Sequence, residues 1–489
     1  MNVSVAVIGS GFSSLASACY LAKEGYDVTI YEKNATVGGR ARQLKKEGFT
    51  FDIGPTWYWM PDVFERFFAD FGKMPSDYYS LEKLNPAYNV YFDRLDYISI
   101  EDSIEKISET FESVEAGSAK KLERFIENAK DNYNVAIKDL VYRPGVSPLE
   151  LVTPKTIKKL GLFMSNIKAM VRKDFKNKRL AQILEFPVLF LGAKPSDTPA
   201  FYNFMNYADF GMGTWHPKNG MYSVIEGMAA LAESLGVVIR TNSPVEKIKV
   251  EGKRTTGIVT NGEHITTDIV LSGADYHHTE TLLDEKHRAY SESFWKKKTF
   301  APSSLLFYVG FDKKLKNVEH HTLFFDVDFD VHAKAIYDDP RWPDEPLFYA
   351  SFPSKTDANA APEGCEAGIF LIPLAPGIED TVAVREQYFD IIMERFQRLT
   401  DQDVTKNVIF KESFCVNDFV KEYNSYKGNA YGMANTLFQT AFLRPKLKSK
   451  KVDHLFFTGQ LTVPGPGVPP SLISGKLAAQ LITKHHPHK

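Results

Sequence analysis

The first forty residues constrain the fold more than any other stretch of the chain. An apolar run, Val3-Ser4-Val5-Ala6-Val7-Ile8, breaks into Gly9-Ser10-Gly11 and then into a helical segment carrying Leu15, Cys19 and Ala22. Gly25 ends the helix, a second apolar run spans Val28 to Tyr31, and an acid, Glu32, closes it. Such runs read as parallel strands buried on both faces. Strand, glycine turn, helix, strand and acid in this order predict a βαβ unit that holds a dinucleotide. Gly9 permits the tight turn, and Gly11 lets the backbone approach a pyrophosphate with no Cβ in the way. Amides around Phe12 and Ser13 face that phosphate with the positive end of the helix dipole. Glu32 follows Gly11 by 21 residues, the distance at which a carboxylate accepts hydrogen bonds from a ribose. The third glycine of the pattern is Ser14, a small residue expected to loosen helix–strand packing only slightly. On these residues alone, NAD and FAD are both open.

The next residues, Lys33 through Arg42, contain Gly38-Gly39-Arg40. A nicotinamide unit has no reason to place Gly-Gly-Arg there. In a flavin protein this backbone passes the pyrophosphate and the arginines neutralise it. A short strand then runs from Phe49 into the fixed turn Gly54-Pro55-Thr56, followed by Trp57, Tyr58 and Trp59.

The remaining composition excludes several classes. A net charge of −2 gives no global field for nucleic acid. Cys19, Cys365 and Cys415 lie far apart with no Cys-x-x-Cys spacing, which argues against a disulfide framework or zinc site and fits a reducing cytosol. No metal site is expected. The tail from His485 to Lys489 is histidine-rich, and a frayed end is its expected state. Because Val3 already belongs to the first strand, no signal segment is expected. No apolar run approaches the length of a bilayer span.

Residues from about Asp62 to Val141 carry helical patterns, and Pro144, Pro148 and Pro154 punctuate the exit. From Lys155 to Arg179 there are nine basic residues against one acid, interleaved with apolar ones, and the run Phe186 to Leu191 follows. A basic amphipathic helix beside an apolar run has two readings: a helix packed on its own domain with a solvated basic face, which the pattern alone favours, or an interfacial anchor with lysines on anionic headgroups and the apolar face inserted. Met221 to Leu235 reads as a helix that Gly236 caps. A three-stranded meander with the hairpin turn Asn261-Gly262 then interrupts the parallel sheet, which Ile269 to Leu271 resumes. Between Pro302 and Val416, strands around a helix over Thr381 to Leu399 suit a mixed sheet. No metal-ligand or triad spacing occurs, and no catalytic residue is named. Finally, strand Leu455 to Thr458 leads into Gly459-Gln460-Leu461-Thr462-Val463-Pro464-Gly465-Pro466-Gly467-Val468-Pro469-Pro470 and a helix from Ser471. This loop aims a helix N-terminus at something anionic, such as the pyrimidine end of a reduced flavin.

Together these residues resemble the bacterial carotenoid desaturase family within the FAD-dependent amine oxidase superfamily, most strongly in Gly9 to Arg42, Gly220 to Asp275 and Gly459 to Gly475. The family's closing motif is matched by Gly459, Thr462, Pro464, Gly465, Gly467 and Pro469. Pro466 stands where a glycine is common. The resemblance implies an α/β fold: a Rossmann-like FAD-binding domain, an inserted mixed α+β substrate domain and a helical membrane-facing region. The FAD-binding parts fall at 1–70, 216–290 and 430–489, the helical region at 71–215 and the substrate domain at 291–429. It places Gly9, Gly11, Glu32, Gly39, Arg40, Pro55, Thr56, Val245, Asp275, Gly459, Val468 and Pro469 around FAD, with Phe12, Ser13, Lys33, Gln460 and Gly467 beside them. Val245 would act through its backbone toward the adenine.

The implied chemistry removes two hydrogens from adjacent carbons of a polyene, a hydride to the flavin and then a proton that delocalisation has acidified. Trp57, Tyr58, Trp59, Phe201, Phe204 and Trp215 are candidates to line an apolar tunnel. A bilayer-borne substrate favours peripheral attachment to the cytoplasmic membrane. With no second dinucleotide fingerprint in mid-chain, reoxidation would use a quinone or oxygen. Three alternatives stand beside this reading: a carotenoid isomerase using reduced FAD, a flavin amine oxidase, and a non-catalytic prenyl-binding escort protein.

Overall fold

A five-stranded parallel sheet carries the N-terminal unit, in the order Leu455–Phe457, Ile269–Ser272, Ser4–Ile8, Asp27–Tyr31, Val238–Arg240. The computed structural model describes residues 3–138 and 140–487. His488 and Lys489, the end of the histidine-rich tail, lie outside them. Ser4–Ile8 is the central strand and is buried from Val5 onward, as its unbroken apolar run requires. Helix Phe12–Lys23 packs against helices Val468–His485 and Tyr222–Ser234, so both ends of the chain meet on one sheet. The closest contact uses Gly475, where a Cβ would stand 2.5 Å from the Ser13 carbonyl oxygen.

The meander Val245–Glu251, Arg254–Thr260 and Glu263–Thr266 forms a separate antiparallel sheet. Asn261 and Gly262 both have positive φ, 50° and 77°, the geometry of the type I′ turn their sequence predicts. A second large sheet has seven strands, in the order Val408–Phe414, Ser303–Phe311, Glu366–Leu374, Phe348–Ser351, His321–Phe324, Tyr88–Asp93, Asp96–Ile100. All neighbours are antiparallel except His321–Phe324 beside Tyr88–Asp93. Helix Val382–Thr400, capped by Thr381, buries Phe389, Ile392 and Phe396 in the core of this sheet.

Two expectations need correction. The stretch Asp62 to Val141 is not helical throughout, because Tyr88–Asp93 and Asp96–Ile100 form an edge hairpin of the seven-stranded sheet. Both faces of Tyr88 to Tyr91 are buried, so the run shows no alternation that would separate strand from helix. Nor is Lys155 to Arg179 one amphipathic helix. It is cut into Pro154–Ile157, Leu160–Met164, Ile167–Asp174 and the start of Lys178–Glu185. The cuts fall at N-caps: Thr153 accepts from the Thr156 amide, Asn166 from Ala169 and Asn177 from Arg179. From Ile167 onward the apolar side is core, with Ile167, Val171, Phe175, Leu180, Ile183 and Val188 buried. Several of its cations are engaged: Arg172 pairs with buried Glu185 at 2.7 Å, Lys168 with Asp330 at 2.7 Å and Lys178 with Asp328 at 3.2 Å. Among the described residues no helix is long and apolar enough to cross a membrane.

Candidate functional site

The glycine turn sits at the carboxyl edge of the parallel sheet. Gly9 has φ +86° and donates its amide to the Tyr31 carbonyl at 2.8 Å, which folds the turn back across the second strand. Gly11 caps helix Phe12–Lys23, and a Cβ placed on it would meet no atom within 4 Å. The open space therefore lies in front of the helix head. The first helical bond runs from the Leu15 amide to the Gly11 carbonyl at 3.0 Å, so the amides of Phe12 and Ser13 remain at that head. Glu32 is buried. Its Oε2 accepts from the amide and hydroxyl of Ser10 at 3.0 and 2.7 Å, and its Oε1 from the Asn34 amide at 2.8 Å. A carboxylate has about four lone-pair sites, so Oε1 keeps capacity for one more donor.

Ser14, the irregular letter of the fingerprint, has its glycine on the neighbouring strand. A Cβ on Gly273 would lie 2.0 Å from the Ser14 hydroxyl oxygen. The close approach survives because the missing hydrogen-only side chain has moved to the partner.

Gly38 donates to the Ser10 carbonyl at 3.1 Å, and Gly39, at φ +56°, would place a Cβ 3.3 Å from the Gly11 Cα. These contacts bring Arg40 into the same corner. Its guanidinium lies over the Tyr423 ring at 5.2 Å and donates to the Ser425 hydroxyl at 3.0 Å, while buried Nε has no partner among the described residues. Burial lowers the Arg40 pKa and the charge of Asp275 opposes that shift. Asp275 caps helix Tyr276–Thr281 through the His278 amide at 3.2 Å, and burial raises its pKa. Gly54 locks the next turn in place, since a Cβ there would collide with the Arg40 carbonyl oxygen at 1.8 Å. Pro55 and Thr56 are thus held beside Gly39-Arg40.

The tail loop supplies another wall. Gly459 has φ +102°, donates its amide to the Ser474 hydroxyl at 2.9 Å, and a Cβ on it would lie 3.2 Å from the Ser13 hydroxyl oxygen. Gln460 has a buried Nε2 with no partner among the described residues. Gly467, at φ +112°, caps helix Val468–His485, which begins with Val468 and Pro469. Val245 stands near Glu32: the Ser243 amide donates to the Glu32 carbonyl at 2.8 Å, and Val245 pairs with Thr260, whose buried hydroxyl has no partner among the described residues. Lys33 does not converge with the rest. Its ammonium turns to the Lys421 carbonyl at 2.7 Å.

The aromatic candidates divide. Tyr58 is buried, stacks on Phe64 at 4.3 Å and shares a hydrogen bond with Tyr79. Trp59 donates to the Thr214 hydroxyl at 2.8 Å and Trp215 to the Met212 carbonyl at 3.0 Å. Phe201 and Phe204 are buried. Trp57 is half-buried among Tyr88, Phe186 and Phe190 and stacks on His321 at 4.0 Å.

Three features escaped the sequence. Arg444 is buried, has no carboxylate partner among the described residues and donates to five oxygens: the carbonyls of Thr462, Gln439, Met433 and Gln460 and the side chain of Asn435, at 2.7 to 3.0 Å. It staples the tail loop, and burial lowers its pKa to about 10. Asp52 accepts from the amides of Met221 and Tyr222 at 2.7 and 3.2 Å, and burial raises its pKa to about 7. Thr56, Tyr349 and His321 form a hydrogen-bonded chain with steps of 2.9 and 2.7 Å. No spacing in the sequence announces any of these partners.

A corner of left-handed glycines, a free helix head, a buried acid and a buried arginine is common to many nucleotide sites, and relatives narrow it. Residues 12–483 match the family of flavin-containing amine oxidoreductases. The chain belongs to that family. A carotenoid 3,4-desaturase of Haloarcula japonica is 39% identical, over 98% of this chain and 97% of that protein. A zeta-carotene-forming phytoene desaturase of Myxococcus xanthus is 31% identical, over 99% of this chain and 94% of that protein. The same fold occurs in an oxidoreductase from Methanosarcina mazei, with TM-score 0.65, 17% identity, and 98% and 100% of the two chains covered. As a member of this family the protein is an FAD-dependent oxidoreductase. Its residues fit that cofactor, because Gly11 faces open space while Arg40 Nε and Gln460 Nε2 are buried donors that the described residues leave unsatisfied.

Proposed function

We propose that this oxidoreductase desaturates a carotenoid, introducing a C=C bond by removing hydrogens from adjacent carbons of a polyene. The carrying observation is 39% identity, along almost the whole of both chains, to a carotenoid 3,4-desaturase. The FAD site is assigned to Gly9, Gly11, Phe12, Ser13, Glu32, Gly39, Arg40, Pro55, Thr56, Val245, Asp275, Gly459, Gln460, Gly467, Val468 and Pro469. When bound, FAD supplies the two-electron acceptor.

The amides of Phe12 and Ser13 and the guanidinium of Arg40 bind the pyrophosphate. Glu32 takes a ribose hydroxyl on its remaining lone pair. Val245 meets the adenine through its backbone. The head of helix Val468–His485 directs its positive end at developing negative charge. Trp57, Phe186 and Phe190 exclude water from the reacting carbons. Reoxidation is assigned to a quinone or oxygen.

A polyene lives in the bilayer, and an apolar face supports peripheral docking there. Leu149 (76% exposed), Leu160 (61%) and Met164 (77%) stand out to solvent, with Lys155 and Lys158 beside them. Phe163 stacks on Phe201, and the adjacent Tyr202 bonds Thr440, close to Phe438 (77% exposed). The inserting residues are therefore placed at the start of the segment read from sequence and just before it, while the part from Ile167 onward packs in the core. Purified protein with FAD and liposomes converts phytoene, or a later acyclic carotene, to a product absorbing at longer wavelength. Absence of product from every carotene, together with oxidation of an amine, would overturn the assignment.

A further inference from the structure

Arg444 carries a charge that no carboxylate among the described residues answers. Its five N–H donors go to five neutral oxygens, one each, so the guanidinium is hydrogen-bonded to capacity and keeps no donor for a ligand. Neutral dipoles solvate a buried charge without cancelling it, and an unanswered charge away from water is strongly unfavourable. A second cation stands nearby: burial and the like charge of Arg444 lower the pKa of Lys298. Two of the five acceptors, the carbonyls of Gln460 and Thr462, belong to the tail loop, at 2.8 and 2.9 Å. A third, the Asn435 side chain, lies 2.8 Å from where a Cβ on Gly465 would stand. Arg444 therefore grips the loop between Gly459, which meets Ser13, and Gly467, which caps helix Val468–His485. Thr462 passes the grip on, since its hydroxyl donates to the Gly459 carbonyl at 2.7 Å and shares a hydrogen bond with the Ser474 hydroxyl at 2.9 Å.

We propose that Arg444 is a positioning residue whose fixed positive charge, held behind the tail loop, favours the reduced, anionic state of the flavin. The proposal rests on the FAD assignment above and deepens it. A hydride brings two electrons and one proton to an uncharged ring and leaves it with one negative charge. A cation fixed behind the wall therefore favours the reduced state over the oxidised one. Taking a hydride from an allylic carbon, with no heteroatom to assist, calls for a ring that accepts electrons readily. The pyrophosphate does not need this charge. The head of helix Phe12–Lys23 and Arg40 already serve it, and Arg40 Nε has no partner among the described residues.

The test measures the flavin potential of the FAD-loaded protein by anaerobic reduction beside a reference dye. Arg444→Gln and Arg444→Lys both lose hydrogen bonds to the loop, but only Lys keeps the charge. In Arg444→Gln the ratio of reduced to oxidised flavin at a fixed potential is expected to fall about tenfold, a downward shift of about 30 mV. Arg444→Lys is expected to stay within about threefold of the wild type, although both variants lose stability. An equal fall in both variants assigns the effect to loop geometry and overturns the proposal. So does an unchanged potential in Arg444→Gln with FAD occupancy reduced, the result for a cation that serves binding alone. Where neither variant holds FAD, the wild type decides. Its reduced flavin is expected to stay anionic at mildly acid pH, where free reduced FAD takes up a proton, and a neutral reduced flavin there overturns the proposal. A wild type that takes up no FAD is a different result, and it removes the cofactor assignment itself.

Discussion

The glycine corner and the basic segment from Lys155 to Leu191 are both conspicuous in the sequence, yet only one has the structure its pattern suggests. In the corner the deciding constraints are backbone ones. Gly9 and Gly39 have positive φ, Gly54 and Gly475 have no room for a Cβ, and no partner elsewhere can change those requirements. In the basic segment the constraint is which partner each side chain finds. Arg172 finds buried Glu185, Lys168 finds Asp330, and Phe175 packs edge-on against Phe111 and Phe125. A charged amphipathic pattern specifies two faces but not what covers them.

Five variants break or sharpen this contrast. The largest effect is expected in the tail wall of the corner. Arg444→Met leaves several buried carbonyls unpaired and should cost about 3–5 kcal/mol, measured by urea unfolding of the FAD-loaded protein. Retention of full stability would mean the tail loop does not depend on this staple. Glu32→Ala removes the acceptor for the Ser10 and Asn34 amides and should cost about 2 kcal/mol, with FAD occupancy reduced in the purified protein. Full occupancy would contradict the ribose assignment.

On the other side of the contrast, serine in place of Leu149, Leu160 and Met164 should weaken vesicle binding at least about tenfold while FAD content stays unchanged, since each loses buried apolar area in lipid. Glu in place of Lys168, Arg172 and Lys173 should act mainly on stability, because Arg172 would become a like charge beside Glu185. Cosedimentation with anionic vesicles separates the two triples. The smallest effect is a pH dependence. Asp209 is buried, accepts from the Tyr88 hydroxyl at 2.7 Å, and burial raises its pKa to about 8. Its folded pKa exceeds the unfolded value, so the proton it holds contributes stability fully below pH 4 and loses it as pH rises through 8. Asp209→Asn should flatten the fall in Tm across that range. An unchanged slope would assign it to other groups.

Legibility followed the same line. The parallel strands, the Asn261-Gly262 hairpin and the glycine turns were readable because local φ and apolar runs determine them. Ser14 was readable as an anomaly but not as a compensated one, since Gly273 lies far away in sequence and meets it only in the folded sheet. Thr153, Asn166 and Asn177 were capping signals in plain view that periodicity overrode. The strand Tyr88–Asp93 was hidden by burial of both faces from Tyr88 to Tyr91. Arg444, Asp52 and the chain from Thr56 through Tyr349 to His321 were invisible because each is defined by partners from distant elements.

The central claim is carotenoid desaturation through FAD bound in the glycine corner. Product analysis after incubating the purified flavoprotein with liposome-borne acyclic carotenes tests it most directly. The account requires a product two hydrogens poorer than its substrate, with flavin absorbance bleached under anaerobic conditions as the carotene is consumed. A flavin that stays oxidised with every carotene and is bleached by an amine would contradict it.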